Sequence, residues 1–166
     1  MSLRCLCALS LALTLSSAVR AADPAGLCLE SLAKMCPDEL EALYRNAPPA
    51  GCLDGYYPGL SMKRPKLTGL LWKGKIFCPS AGTIVNRWIL GAKLITAQVY
   101  PGESWLDGKP SLIMDYRQSS RIWGNVRDEL REISPGLYLG IMYRDKKCGP
   151  EFDRYFALKA ECGKAD

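Results

Sequence analysis

After Cys52 the chain consists of short runs of β-type residues separated by glycine and proline, with no helical segment between consecutive runs. Several runs place apolar side chains at alternate positions, which is typical of strands with one buried face. Strands joined by short connections pair antiparallel, and such a meander removes its edges by closing on itself. The sequence therefore predicts a mainly β fold, an antiparallel meander that closes into a small barrel. The predicted strands lie in GLLWKGKIF, TIVNRWIL, AKLITAQVY, SLIMDYR, LYLGIMY and EFDRYFALK.

The N-terminal residues predict an export signal followed by a helical cap. A short basic start precedes the apolar run CLCALSLALTL and small residues near Arg20, a pattern typical of a secretory signal peptide and too short for a membrane span. We expect residues 1–21 to be removed and the protein to be secreted or periplasmic, with no stable membrane span. Residues 26–46 have helical apolar spacing and a helix start at Pro37-Asp38-Glu39. They predict a helical cap segment over residues 22–50, ahead of a barrel domain over 51–166.

Six cysteines remain once the signal peptide is removed. An even number in an exported chain predicts disulfides, here three, chosen from fifteen possible pairings. If Cys28 and Cys36 lie on one continuous helix, they are about 12 Å apart, and bridging requires roughly 7 Å or less. We therefore expect the bridges to tie the N-terminal segment and the C terminus to the barrel. A zinc site is the alternative, but it would favour a C-x-x-C pair, which is absent. The six are Cys28, Cys36, Cys52, Cys78, Cys148 and Cys162.

The chain contains no histidine. This excludes Ser-His-Asp and Cys-His nucleophile systems and metal or haem sites that depend on histidine. The formal net charge of +5 falls by two when Arg4 and Arg20 leave with the signal peptide. So small a positive net charge argues against a nucleic-acid partner. We therefore predict no metal, no cofactor and no nucleic acid, and the sequence names no protein partner.

Five short motifs follow one another between residues 69 and 160: WKGKIF, MDY, LREI, LYLGIM and RYFAL. In order and spacing they resemble the recurring pieces of the small GXWXG-containing lipocalin-like domains, which are W-x-G-K-x-F, M-x-Y, R-x-V, L-L-G-x-M and Y-F-x-L. The cysteines, the helical cap and the loop PGESWLDG depart from that pattern. The resemblance implies a calycin-type, lipocalin-like barrel with a ligand cavity. It implies no particular reaction.

The segment 126–133 fits two structures. Val126, Leu130 and Ile133 fall at helical spacing, but Ser134-Pro135-Gly136 is strong turn chemistry in front of the strand LYLGIMY. In the resembled family this segment is one arm of a β-hairpin. We predict a strand, because tertiary context often overrides local propensity. The alternative is a helix whose charges form an ordinary solvated face.

As a strand, this segment carries charges on both faces, because side chains alternate. One face of a barrel strand points inward, so charged groups enter the lumen under either register and must be paired or hydrated. We predict that Arg127, Glu129 and Arg131 face inward, because their mixed signs can satisfy one another and arginine can hold a carboxylate or phosphate head group. An ion-pair network that only fills the barrel is the alternative. The opposite face holds Val126, Asp128, Leu130 and Glu132.

These features predict a binding protein: an exported, disulfide-stabilised, lipocalin-like barrel that holds a small hydrophobic or amphiphilic ligand, with or without an anionic head. One alternative is an isomerase or cyclase that acts on a bound hydrophobic substrate, with Glu129 as acid or base; it requires a cavity carboxylate without a matching arginine. Another is a solid-core interaction domain that recognises partners through the cap or the PGESWLDG loop. The residues predicted to contact a ligand are Arg127, Glu129, Arg131, Met114, Tyr116, Tyr143 and, at the barrel mouth, Trp105.

Overall fold

The computed structural model describes residues 26–62, 70–119 and 122–161. The predicted signal peptide and Cys162 lie outside the described residues. Eight antiparallel strands follow one another in sequence order and close into a barrel, with two helices ahead of them, so the predicted fold class is confirmed. The helices are α1 (Leu29–Leu32) and α2 (Pro37–Asn46). The strands are β1 (Gly55–Ser61), β2 (Trp72–Cys78), β3 (Thr83–Trp88), β4 (Lys93–Glu103), β5 (Pro110–Asp115), β6 (Val126–Ser134), β7 (Leu137–Lys146) and β8 (Gly149–Lys159).

The disputed segment is strand β6, so the predicted strand is confirmed. It forms a hairpin with β7 through a tight turn at Gly136, whose φ of 70° suits glycine. On its other side β6 pairs with β5 as far as Leu130. Beyond Leu130, the chain that follows α2 pairs with β6 in place of β5, because Glu132 N donates to Pro48 O at 3.1 Å. The cap segment is therefore joined to the sheet by backbone hydrogen bonds.

Two apolar clusters lie on opposite faces of the barrel wall. Residues paired across antiparallel strands share a face, so the register assigns Leu112, Leu130 and Phe156 to the lumen. The outward face of β6–β8 packs under the two helices. The cap therefore covers the outer wall of the barrel. The outer cluster comprises Leu32, Leu40, Tyr44, Leu137, Leu139, Ile141, Tyr143, Tyr155 and Ala157. No helix in the described part of the chain is long and apolar enough to cross a membrane.

The prediction of three disulfides is wrong for the cysteines that the structure describes. Three bonds among six cysteines require at least two bonds among these five, yet each of the five is a free thiol. Two of them stand at helix starts: Cys28 precedes α1, where its Sγ accepts a hydrogen bond from Ser31 N at 3.4 Å, and Cys36 precedes α2. Cys28 and Cys36 thus cap two separate helices and do not lie on one continuous helix. The five are Cys28, Cys36, Cys52, Cys78 and Cys148.

Strand β2 is irregular at Gly74, in the motif WKGKIF. Its pairing with β3 shifts between Trp72 and Gly74, and Gly74 has a φ of 138°. A Cβ at this position would lie 2.1 Å from the backbone oxygen of Tyr57. The shift brings Trp72 and Lys75 to the same side of the barrel wall although they are three positions apart, since both line the same cavity.

Replacing Gly74 by alanine is expected to lower the free energy of unfolding by about 1–3 kcal/mol, because the new methyl group meets backbone that cannot rotate away. Chemical denaturation would measure the change. Gly51→Ala is the matched control, because a Cβ at Gly51 meets nothing within 4 Å. Equal stability of the two variants would contradict this account of the irregularity.

Candidate functional site

A cavity of about 260 Å³ occupies one end of the barrel. At this end the odd-numbered strands finish and the even-numbered strands begin. The lining includes Ser61 at the end of β1 and Trp72 at the start of β2. Its walls are mainly apolar. Three of the four tryptophans of the chain contribute, and Trp72 packs edge-on against Phe156 with ring centroids 5.8 Å apart. The apolar lining consists of Trp72, Trp88, Ile95, Trp123, Val126, Met142 and Phe156.

Buried polar side chains meet at the inner end of this cavity. Lys75 Nζ donates to Asp128 Oδ2 at 2.7 Å, to the Tyr116 hydroxyl at 2.7 Å and to Asn86 Oδ1 at 3.0 Å. These contacts use all three protons of the ammonium group. Lys75 is on β2 and Asp128 is on β6, and strands so far apart around a closed barrel can only meet across its lumen. We call Lys75, Asn86, Tyr116 and Asp128 the lumen polar cluster.

Tyr116 links the other members of the lumen polar cluster. Its hydroxyl donates to Asp128 Oδ2 at 3.0 Å and accepts from Asn86 Nδ2 at 3.1 Å. Burial, followed by the nearby carboxylate of Asp128, raises the pKa of Tyr116 well above its usual value. Tyr116 is therefore a neutral hydrogen-bond donor. Asn86 in turn accepts from Trp72 Nε1 at 2.9 Å, so the cluster is anchored to the apolar wall.

Only one oxygen of the Asp128 carboxylate is satisfied within the described part of the chain. Oδ2 accepts from Lys75 and Tyr116, whereas Oδ1 is buried and has no hydrogen-bond partner there. The side chain is 6% exposed and lines the cavity. A buried oxygen without a donor is costly and uncommon. Asp128 Oδ1 is therefore the unsatisfied acceptor of the lumen polar cluster.

The prediction that Arg127, Glu129 and Arg131 face the lumen is wrong. These side chains lie on the outward face of β6, and Asp128 and Leu130 point inward instead. The outward face tolerates charge because α2 and the loop between β4 and β5 cover it with polar partners. The alternation of side chains along β6 gives two faces that each combine charged and apolar residues, but it does not show which face the cap covers.

Glu129, the predicted acid or base, is fully buried on this covered outer face. Its carboxylate accepts from Ser104 Oγ, from Trp105 N at 2.8 Å and from the Tyr44 hydroxyl at 3.4 Å, and Arg127 Nε lies 3.4 Å away. Burial raises the pKa of Glu129, and these hydrogen bonds and the charge of Arg127 oppose that rise. Glu129 does not line the cavity and is matched by an arginine. It therefore does not meet the requirement for a cavity base.

Arg131 is buried on the same face and uses all five of its N–H donors. Two go to the carboxylate of Asp107, at 2.7 and 2.9 Å. The others go to the backbone oxygens of Tyr44 at 3.0 Å, Lys109 at 3.1 Å and Pro110 at 3.1 Å. One guanidinium group thus joins the end of α2, the β4–β5 loop and the start of β5 to strand β6.

The remaining predicted contact residues divide between the two faces. Met114 and Tyr116 point into the lumen, and of the two only Tyr116 lines the cavity. Tyr143 and Trp105 lie outside, with ring centroids 5.6 Å apart, and the guanidinium of Arg127 stacks 4.2 Å from the Trp105 ring. Ligand contact by Tyr116 stays a prediction, and the other two aromatic rings lie away from the cavity.

The sequence analysis missed Lys75, Asn86 and Asp128. One usable signal was present. Lys75 is two positions from Phe77, and Asn86 is two positions from Ile84. In a strand, positions two apart share a face, so polar residues in step with core residues belong to the interior.

A second cavity, of about 300 Å³, lies at the opposite end of the barrel near Leu53 and Phe77. Its described lining residues include none with a charge. Among the residues that the structure describes, no group of three or more cysteine, aspartate or glutamate side chains is placed to hold a metal ion. The first cavity is therefore the candidate functional site.

Comparison with known proteins supports the fold alone. No protein-family model matches the chain, and no curated protein matches its sequence. One solved structure, the crystal structure of a protein from Thermomonospora curvata, is similar to this chain with a TM-score of 0.57 and 22% sequence identity. The match covers 80% of this chain and 93% of that chain.

Proposed function

We propose that the protein binds one small, largely apolar molecule in the barrel lumen. The observation that carries this proposal is the cavity itself, which combines aromatic and aliphatic walls with a few polar groups at its inner end. Binding sites for small molecules have this composition: apolar surface supplies affinity, and a few polar groups fix orientation. The cavity argues against a lumen that is packed solid. The buried, arginine-matched Glu129 argues against catalysis by that residue.

The polar groups also constrain where a charged end of the ligand would lie. Lys75 and Asp128 form a close ion pair, so the inner end of the cavity carries no net charge. Arg144 and Arg154 line the outer part, and both contact Asp153, at 2.8 and 2.7 Å. An anionic head group, if the ligand has one, would therefore stay at the mouth beside these arginines.

We further propose that the protein is exported, on the strength of the signal-like residues 1–21. Both proposals are tested by native mass spectrometry of protein purified from its own source. We expect a chain that begins near Ala22 and carries one small organic molecule.

Delipidated protein is expected to gain about 5–10 °C in melting temperature at an amphiphile concentration about 100 times Kd, because a ligand that binds only the folded state stabilises it. Tryptophan fluorescence should change in the same titration, since Trp72, Trp88 and Trp123 line the cavity.

Trp105→Phe is the control for that titration, because Trp105 lies on the outer face. It should leave the amplitude of the fluorescence change intact, whereas Trp123→Phe should reduce it. Melting temperatures that stay constant across chemically diverse amphiphiles would contradict the proposal.

A further inference from the structure

We propose that the lumen polar cluster recognises an uncharged hydrogen-bond donor on the ligand, above all a hydroxyl group, which Asp128 Oδ1 accepts. This inference rests on the proposed function and names the chemical class of its ligand: a mostly apolar alcohol that binds with its hydroxyl at the inner end of the cavity.

The first step is the chemistry of the unsatisfied atom. Asp128 pairs with Lys75 at 2.7 Å, and an ionised carboxylate can only accept hydrogen bonds. Its Oδ2 already has two donors, from Lys75 and Tyr116. Oδ1 has none in the described part of the chain. Whatever completes the site must therefore bring a donor.

The second step is that the other three members of the lumen polar cluster have no donor to spare. The three protons of Lys75 are engaged, and the single hydroxyl proton of Tyr116 goes to Asp128 Oδ2. Asn86 uses Nδ2 for Ile95 O at 2.9 Å and for the Tyr116 hydroxyl at 3.1 Å. Since no described residue is placed to supply the missing donor, it comes from a molecule in the cavity that Asp128 lines.

The third step is the sign of the charge. A ligand carboxylate at the inner end would face the unpaired oxygen of Asp128, and a ligand ammonium would face the nearby ammonium of Lys75. Either ion would also lose its hydration in a site where both protein charges are almost fully buried. A neutral hydroxyl avoids both penalties and still donates one hydrogen bond. The rings of Trp72 and Phe156 beside the cluster then suit a hydrocarbon body.

The test compares four probes with the same ten-carbon alkyl chain: decanol, decyl methyl ether, undecanoate and decylammonium. Binding to delipidated wild-type protein is followed by tryptophan fluorescence. We expect decanol to bind about tenfold more tightly than the ether, which can accept but not donate a hydrogen bond. Both ionic probes should bind more weakly than decanol.

Asp128→Asn sharpens the test. The asparagine oxygen can still accept from Lys75 and Tyr116, and this orientation places its amide N–H₂ where Oδ1 stood. The cavity then presents a donor, so the ether should bind at least as tightly as decanol. Asp54→Asn makes the same chemical change at an exposed position before β1 and should keep the preference of the wild type.

The outcomes separate the two proposals. Equal affinity of the wild type for decanol and its ether would overturn this inference, since Oδ1 would then be satisfied by water, and would leave the proposed function standing. Failure of all four probes to bind would overturn both. If Asp128→Asn does not fold, the comparison of alcohol with ether in the wild type still decides the question.

Discussion

Replacing Arg131 by methionine is expected to lower the free energy of unfolding by about 3–5 kcal/mol, the usual cost of removing one partner from a buried ion pair. The variant leaves the carboxylate of Asp107 without its guanidinium partner. It also leaves the backbone oxygens of Tyr44, Lys109 and Pro110 without their donor. Because these groups belong to three separate segments, α2 and the β4–β5 loop should loosen first. Chemical denaturation would measure the loss, and hydrogen exchange would locate it.

Arg117→Met is the matched control. Arg117 also contacts an aspartate, Asp115, through several hydrogen bonds, but its side chain is 68% exposed. An exposed pair of this kind contributes about 1 kcal/mol or less. Equal losses in the two variants would show that Arg131 does not join the cap to the barrel.

The loss caused by Arg131→Met should also depend on pH. Hydrogen bonds from Arg131 lower the pKa of Asp107, against the opposing effect of burial. A carboxyl with a lowered pKa in the folded state stabilises the protein above its unfolded-state pKa and loses that contribution as the pH falls through its folded-state pKa. The difference between wild type and variant should therefore be largest above about pH 4 and should narrow below it.

The barrel itself was predictable because its signals are local and repeated. Short alternating runs, glycine and proline between them and the absence of crossover helices all indicate the same antiparallel meander. Strand β6 was predictable only with the motif order of the second half, because its own apolar residues have helical spacing. The turn at Gly136 and the hairpin partner LYLGIMY override that spacing.

The direction of the β6 side chains was not predictable from the strand alone. Both faces mix charges with apolar residues, so alternation gives two equivalent registers. Groups distant in sequence decide between the two registers. The Tyr44 backbone oxygen on α2 and the Asp107 carboxylate in the β4–β5 loop accept hydrogen bonds from Arg131 and so fix its side chain on the outer face. A polar face that looks suited to a lumen can equally suit the underside of a cap.

The buried position of Lys75 in the lumen was not predicted, for a related reason. In WKGKIF it looks like the second of two solvent-facing lysines, because Lys73 lies two positions before it. The irregularity at Gly74 breaks the simple alternation of this strand. Lys75 is only 2% exposed, whereas Lys73 is exposed. Local backbone geometry thus decided which of the two lysines is buried in the lumen.

Replacing Lys75 by methionine is expected to lower the free energy of unfolding by about 3–5 kcal/mol, because the buried carboxylate of Asp128 loses its counter-charge. Lys146→Met is the matched control. Lys146 pairs with Glu151 on the surface, with side chains 50% and 60% exposed, so its replacement should cost about 1 kcal/mol or less. Chemical denaturation of both variants provides the comparison.

The double variant Lys75→Met/Asp128→Leu should recover most of this loss and come within about 2 kcal/mol of the wild type, because it removes both buried charges together. Tyr116 and Asn86 keep their mutual hydrogen bond, and only the hydroxyl proton of Tyr116 loses its acceptor. The double variant should nevertheless bind decanol no better than decyl methyl ether. If the double variant recovers its stability but no longer prefers decanol to the ether, the lumen charges contribute to recognition more than to folding. A double variant as unstable as Lys75→Met alone would instead make the cluster a structural element of the barrel.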